Sequence, residues 1–456
     1  MERRHFLHNL AHISAAPTIF SSLAFSQEDF SKYSSLSNTL TSGNILVIIQ
    51  LNGGNDGLNT LIPLDMMSQL NSVRPHVVLP DNSIINLGKN DLGLHPALSS
   101  FKSFFDENRL KIIQNVGYPI PNYSHFRSMD IWQSASDANK FVSSGWLGRY
   151  NEKKHPSFPD SYPNTDYPHP LSLEIGWNSS LLFTGEKSFT SVVASNPNDF
   201  YEIINDFDNI YPSSISGEKL KYLQLMGKQA NKYGQVLKDC YKSGSTQQEF
   251  PRTNLGRQLE IITRLISGGI NTRIFMVEHG GFDTHDLQVE DDDHSKGEHN
   301  YLLKDLNDSV TAFIKNLDVM GRSDDVLTMT FSEFGRTVHS NGTFGTDHGT
   351  VAPVFMIGNK IDPSITGKNP FIPNQADNQF ELSREYDFRQ LYSSVISQWF
   401  KEDSLINEHV LLRKFNQIPL IQGMYEDPNV DTDGDGVADI NDNCPNTPEG
   451  SVVDLN

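Results

Sequence analysis

The sequence predicts an α/β fold, with a mostly parallel sheet covered by helices on both faces. Two observations carry the prediction. Five short runs are continuously apolar and rich in β-branched residues, as strands buried on both sides must be. Segments with a single apolar stripe at helical spacing alternate with them, the pattern of strand, crossover helix and next strand. Such sheets bind ligands beyond the carboxyl ends of their strands, so the residues that follow each strand are where function is sought.

The first strand is ILVIIQL (45–51), followed by the glycine-rich turn NGGNDGLN that contains Asp56. LKIIQNV (110–116) is the second, and after it Ser124 and His125 stand at the start of an expected helix. Residues 151–250 are rich in Ser, Asn, Pro and aromatics without clear periodicity and are expected to form an insertion or lid. Leu255, Leu259, Ile262 and Ile266 then mark one helix, and RIFMVEH (273–279) is a strand that ends in GGFDTHDLQ with Asp283 and His285. Leu302, Leu306, Val310, Phe313, Leu317 and Met320 mark a second helix. Strand VLTMTFSE (326–333) leads to Glu333 and Arg336, and FGTDHGTVAP, with Asp347 and His348, precedes the last strand, PVFMIG (353–358).

Five loops thus bring carboxylate, hydroxyl and imidazole groups to what should be one edge of one sheet. A cluster of buried carboxylates is costly unless paired or coordinated, so a divalent metal, zinc or similar, is expected among them. The remaining His95, His125, His155, His169 and His339 read as structural histidines.

Composition narrows the partners. The chain has 456 residues, with 36 Lys and Arg against 56 Asp and Glu, a formal net charge of −20. Phosphate backbones would repel it, so nucleic acid is excluded as a first expectation. Only Cys240 and Cys444 occur, which leaves His and carboxylates to build any metal site. No run after the N-terminus is long and apolar enough to cross a bilayer.

The ends read differently from the middle. In residues 1–27, Arg3-Arg4 before Phe6-Leu7 and a weakly apolar stretch resembles a twin-arginine export signal, which implies a periplasmic, cell-surface or extracellular protein. Within residues 427–456, Asp431, Asp433, Asp435, Asp439 and Asp442 are hinged by Gly434 and Gly436, a spacing of hard oxygen ligands suited to Ca²⁺. The stretch from Asp431 to Pro445 resembles a thrombospondin type 3 repeat, and such repeats usually continue beyond one copy.

The central residues carry a further resemblance. LVIIQLNGGNDGLNTLIP, NYSHFRSMDIWQSA, GWLGRY, LGRQLEIITRLISGGINTRIFMVEHGGFDTHDLQ, LTMTFSEFGRTVHSNGTFGTDHGTVAPVFMIG and YDFRQLYSSVISQWF resemble the bacterial domain-of-unknown-function family numbered 1501, from about residue 44 to residue 400. That family is placed in the alkaline phosphatase and sulfatase superfamily. The resemblance implies an alkaline phosphatase-like α/β/α sandwich over about 44–420, with one or two metal ions at the carboxyl edge of the sheet. It implies Asp56 as a metal ligand, Ser124 as a hydroxyl nucleophile that also touches the metal, Asp283 and His285 (or His279) as an Asp/His pair, and Glu333 and His348 as further ligands. Phe334 stands where two-zinc phosphatases have a histidine, so one site would lose a ligand unless Asp347, Asn55 or His125 replaces it. No Cys-x-Pro-x-Arg or Ser-x-Pro-x-Arg sequence is present, against a formylglycine sulfatase.

These expectations describe an exported hydrolase of phosphate or sulfate esters, acting on a small molecule or glycan. A cation beside Ser124 would stabilise its deprotonated oxygen, and Arg127 or Arg336 would hold the non-bridging oxygens through paired N–H donors. The alternative is a non-catalytic binding protein of the cell envelope or surface that keeps the fold and a structural metal.

Overall fold

A computed structural model describes residues 43–195, 215–377 and 379–425. The expected export signal, the calcium repeat and its five aspartates lie outside the described residues.

Nine strands form the central sheet: β1 (Ile45–Asn52), β2 (Leu110–Gly117), β3 (Ser172–Ile175), β4 (Ser191–Ala194), β5 (Ile274–Gly280), β6 (Val326–Phe331), β7 (Ala352–Ile357), β8 (Ile365–Thr366) and β9 (Tyr386–Asp387). Their order is β8-β2-β7-β6-β1-β5-β3-β4, with β9 pairing β2 at its carboxyl end. Every pairing is parallel except those of β7, which runs antiparallel to both β2 and β6.

The continuous apolar character of β1 has a direct cause. Val47, Ile49 and Leu51 enter one core, while Leu46 and Ile48 enter the other. The first core is closed by Phe101, Phe104 and Phe105 of helix α2 (Ser99–Asp106), which follows helix α1 (Met67–Val73), by Leu255, Leu259 and Ile262, and by Leu302, Leu306 and Phe313, all on helices. The second is closed by Ile131, Trp132, Trp146, Leu391 and Tyr392. A strand covered on both faces has no polar side to alternate with. The expected α/β/α layering and mostly parallel sheet are therefore what the chain forms.

Within the stretch 151–250, strands β3 and β4 extend the sheet in parallel register beyond β5. Glu174, Ser172 and Thr190 are buried there, so these described residues are part of the central sheet and its cover. Helix Ile215–Ser243 then packs against Asn254–Ser267.

Candidate metal centre

The loops meet for a topological reason. β1, β5 and β6 end at one edge, the helix α3 (His125–Ser134) begins just beyond the end of β2, and the antiparallel β7 enters the sheet at that same edge. Residues before β7 therefore join residues after the others. They do so in a hairpin, where Arg336–Ser340 pairs with Thr346–His348 and Arg336 faces His348.

Gly53 and Gly54, at φ +125° and +85°, let the turn after β1 reach this edge. A Cβ on Gly53 would stand 2.3 Å from the Asp283 backbone nitrogen, and one on Gly54 would stand 2.4 Å from the Phe334 ring. Only glycine fits that approach.

Four side chains converge. His348 Nδ1 lies 2.7 Å from the Tyr123 carbonyl oxygen, which can only accept, so the ring proton is on Nδ1. Burial holds the His348 pKa below its ordinary value, although the contacts to the Tyr123 carbonyl and to Asp283 oppose this. The neutral ring then turns a bare Nε2 toward Asp283 Oδ1 at 3.1 Å and His285 Nε2 at 2.9 Å. His285 Nε2 is itself 3.1 Å from Asp283 Oδ1, and its Nδ1 lies 2.9 Å from Asp347 Oδ1. With the tautomer assigned so that Nδ1–H donates to Asp347, His285 also presents a lone pair inward. His125 completes the group: its Nδ1 is 2.9 Å from Glu333 Oε1, and its Nε2 is 3.4 Å from Asp283 Oδ2.

These lone pairs would repel one another without a positive charge between them. His125, Asp283 and His348 offer ligand atoms all within 4.8 Å of one another, and His285 adds a fourth beside two of them. The contacts among His285, His348 and Asp283 Oδ1, at 2.9, 3.1 and 3.1 Å, are shorter than the donor–donor edges, about 3.3–3.6 Å, of a tetrahedral ion, and His125 stands 3.4 Å from the other oxygen, Oδ2, so the groups would part by a few tenths of an ångström to surround one. Three imidazoles and one carboxylate fit zinc or a similar borderline cation better than calcium or magnesium.

Electrostatics favour an ionised Asp283 and a protonated His125, whose proton a bound cation would have to displace. Burial alone would raise Asp283, but the hydrogen bond from Arg336, the contact with His348 and the charges of Arg336 and His125 hold it down at about 2. The hydrogen bond to Glu333 raises His125 above its ordinary value against the opposing effect of burial, with the charges of Glu333 and Asp283 adding to it.

Several expected site residues take other positions. Asp56 is fully buried away from this group: Oδ1 accepts from the Leu58 and Asn59 backbone N–H groups, and Oδ2 is paired with Arg74 and accepts from Gln288 Nε2 at 2.6 Å. Its charge is balanced by the Arg74 guanidinium, and it is not among the four side chains that converge. Glu333 and Asp347 each orient a histidine, through Nδ1 of His125 and of His285, and so stand behind the ligands rather than among them. Glu333 also accepts from the Gly53 N–H at 2.9 Å.

The two arginines are placed differently. Arg336 is buried and donates to the carbonyls of Gly53, Gly54, Phe282 and Thr346 and to Asp283 Oδ1 at 2.7 Å. Arg127 is half-buried, donates through Nη2 to the carbonyls of Asp137, Ala138 and Lys140, and lies over the Phe141 ring at 4.1 Å. Every donor nitrogen of Arg336 is thus engaged within the chain.

Ser124 is the N-cap residue of α3 and exposed, but its hydroxyl makes no capping bond. It adjoins His125 in sequence. His279 is bound to the Leu302 carbonyl at 2.9 Å and packs on Phe282, and Asn55 Oδ1 is engaged by Thr60 and His299. Phe334 is buried against His125 and His348, with ring centroids 5.0 and 4.5 Å away. Sequence reasoning did not find Arg74, which follows a short helix, or Gln288, a neutral amide in the loop after β5 with no titratable group to mark it, and it named His125 only as a possible replacement ligand.

Residues 213–383 match the family described as "Protein of unknown function (DUF1501)", a span that includes Asp283, His285, Glu333, Arg336, Asp347 and His348. Among curated proteins, none matches the sequence. Solved structures similar to the chain include Ps i-CgsB in complex with k-i-k-neocarrahexaose, at 10% identity, covering 82% of this chain and 75% of that one, TM-score 0.36. Another is the PsFucS1 sulfatase from Pseudoalteromonas sp., at 9% identity, 85% and 73% coverage and TM-score 0.35. A protein in the alkaline phosphatase superfamily from Vibrio parahaemolyticus is similar at 11% identity, 80% and 71% coverage and TM-score 0.31.

Proposed function

We propose that the chain is a hydrolase of phosphate or sulfate esters that uses one divalent cation, held by His125, Asp283, His285 and His348, and the Ser124 hydroxyl as nucleophile. The observation that carries the proposal is the convergence of these four side chains, next in sequence to a serine whose hydroxyl caps nothing. When bound, such a cation supplies a positive charge that favours the deprotonated form of a nearby hydroxyl and the negative charge that builds on the transferred group.

The chain's own groups divide the remaining work. Glu333, Asp347 and the Tyr123 carbonyl fix three imidazoles with their lone pairs inward. Arg336 holds Asp283 ionised. The oxygens of the ester fall to backbone donors rather than to Arg336: the first intrahelical bond of α3 runs from Ser128 N–H to the Ser124 carbonyl, which leaves the N–H groups of His125, Phe126 and Arg127 at the positive end of a ten-residue helix. One cation suffices because Arg74 already neutralises Asp56 and Phe334 fills the space beside His348.

The burial and full engagement of Arg336 favour a second reading, a binding protein that keeps the metal without turnover. Metal content and hydrolysis of generic phosphate mono- and diesters and sulfate esters, by wild type and Ser124→Ala, separate the two. Metal with serine-dependent turnover supports the hydrolase; metal without turnover on any ester class supports the binding protein; turnover unchanged in Ser124→Ala removes the serine mechanism.

Export through the paired arginines and calcium binding by Asp431, Asp433, Asp435, Asp439 and Asp442 belong to the same proposal and rest on sequence alone. Ca²⁺ should protect residues 427–445 from protease, and equal cleavage with chelator would return them to a solvated acidic tail. No helix among the described residues is long and apolar enough to cross a membrane.

A further inference from the structure

We infer that Gln288 is a positioning residue for the metal centre, tying both ligand-bearing loops to the buried Asp56–Arg74 pair. The inference rests on the reading that His125, Asp283, His285 and His348 hold a cation. Gln288 is fully buried and touches none of those four side chains through its amide. Its Nε2 donates to Asp56 Oδ2 at 2.6 Å, and its Oε1 accepts from Thr284 Oγ1 at 3.1 Å and from Thr346 Oγ1 at 2.6 Å.

The orientation of this amide is forced. An ionised Asp56 can only accept, so the NH₂ group faces it, and the carbonyl oxygen is left to serve both threonines. Each threonine sits in a loop that carries ligands: Thr284 lies between Asp283 and His285, and Thr346 lies two residues before His348. Thr346 N–H also donates to the Thr284 carbonyl at 3.2 Å, which joins the two loops to each other. What Gln288 adds is their attachment to the turn after β1.

Asp56 is a firm anchor because three other groups hold it. The Leu58 and Asn59 N–H groups take one oxygen, and Arg74, with no side-chain exposure, pairs with the other. Asp56 thereby acts on the metal centre without reaching it, and the buried ion pair serves position instead of ligation. Arg336 supplies the parallel tie through the carbonyls of Gly53, Gly54, Phe282 and Thr346. Losing either tie frees the loops to shift by the few tenths of an ångström that tetrahedral ligation does not tolerate.

The test uses the full chain stripped of metal, titrated calorimetrically with Zn²⁺ and spectroscopically with Co²⁺. Gln288→Met keeps length and removes all three hydrogen bonds; Thr346→Val and Thr346→Ser form a milder pair, with and without loss of the hydroxyl. The expected result is a Zn²⁺ affinity about ten- to a hundredfold weaker in Gln288→Met and weakened in Thr346→Val, an altered Co²⁺ d–d spectrum in both, and wild-type affinity in Thr346→Ser. A purely structural role would lower the unfolding midpoint of the metal-free variants while leaving affinity and spectrum unchanged, and that result overturns the inference. If Gln288→Met fails to fold, the Thr346 pair decides alone. Wild-type protein that binds no Zn²⁺ would instead overturn the metal-centre reading on which the inference stands.

Discussion

At the scale of residues, the chemistry depends on which atom of each imidazole carries the proton. The Tyr123 carbonyl, Glu333 and Asp347 each occupy one ring nitrogen and so turn the other inward. Glu333→Gln replaces a full negative charge behind His125 by a neutral amide of the same shape. Zinc affinity measured by competition with a chromophoric chelator should fall by about tenfold or more, with the fold intact. For Ser124→Ala the expectation is retained metal and a fall in turnover of at least about a thousandfold, measured on whichever ester the wild type hydrolyses. Unchanged affinity in the first variant would remove Glu333 from its orienting role; unchanged turnover in the second would remove the nucleophile.

At the scale of elements, the strands and helices were legible because burial imposes a period. The run 45–51 is observed as Ile45–Asn52, and the stripe through Leu255 and Ile266 as the helix Asn254–Ser267. Ser124 is the N-cap residue of α3, as its position before a helical stretch implied. What escaped was pairing across elements. Asp56 reads as a ligand from its turn alone, and nothing local announces that Arg74, at the end of a short helix 18 residues later, will meet it in the interior. Strands β3 and β4 escaped for a related reason: four-residue strands such as SLEI are too short to show a period. The turn after β1 gives a prediction at this scale. Gly54→Ala forces a side chain to adopt φ +85° against the Phe334 ring and should destabilise the fold by about 1–3 kcal/mol in chemical denaturation; a smaller loss would mean the turn relaxes away from that contact.

At the scale of the whole molecule, a three-layer sheet hides charge as well as apolar surface. Glu174 is completely buried on β3, and desolvation raises its pKa to about 7 despite hydrogen bonds from Ser180 and Ser191. Burial raises Glu381 to about 7 as well. Because both folded values lie above the unfolded one, the folded state binds more protons between about pH 4.5 and 7. Their stabilising contribution is therefore complete below that window and is lost as pH rises through it. Glu174→Gln should flatten the fall in unfolding free energy between those pH values, as read from denaturation curves; an unchanged slope would place the dependence on other groups. The convergence of loops at one sheet edge was legible at this scale from strand order alone, whereas the split between four ligands and their orienting neighbours was not, since Asp283 and Asp347 look alike in sequence and differ only in which atom faces them.

The most direct measurement is a crystal structure recorded across the absorption edges of divalent metals. One anomalous peak among His125, Asp283, His285 and His348, with Asp56 still paired to Arg74, is the predicted result. No peak there in metal-supplemented protein, or a second one on Asp56, would contradict it.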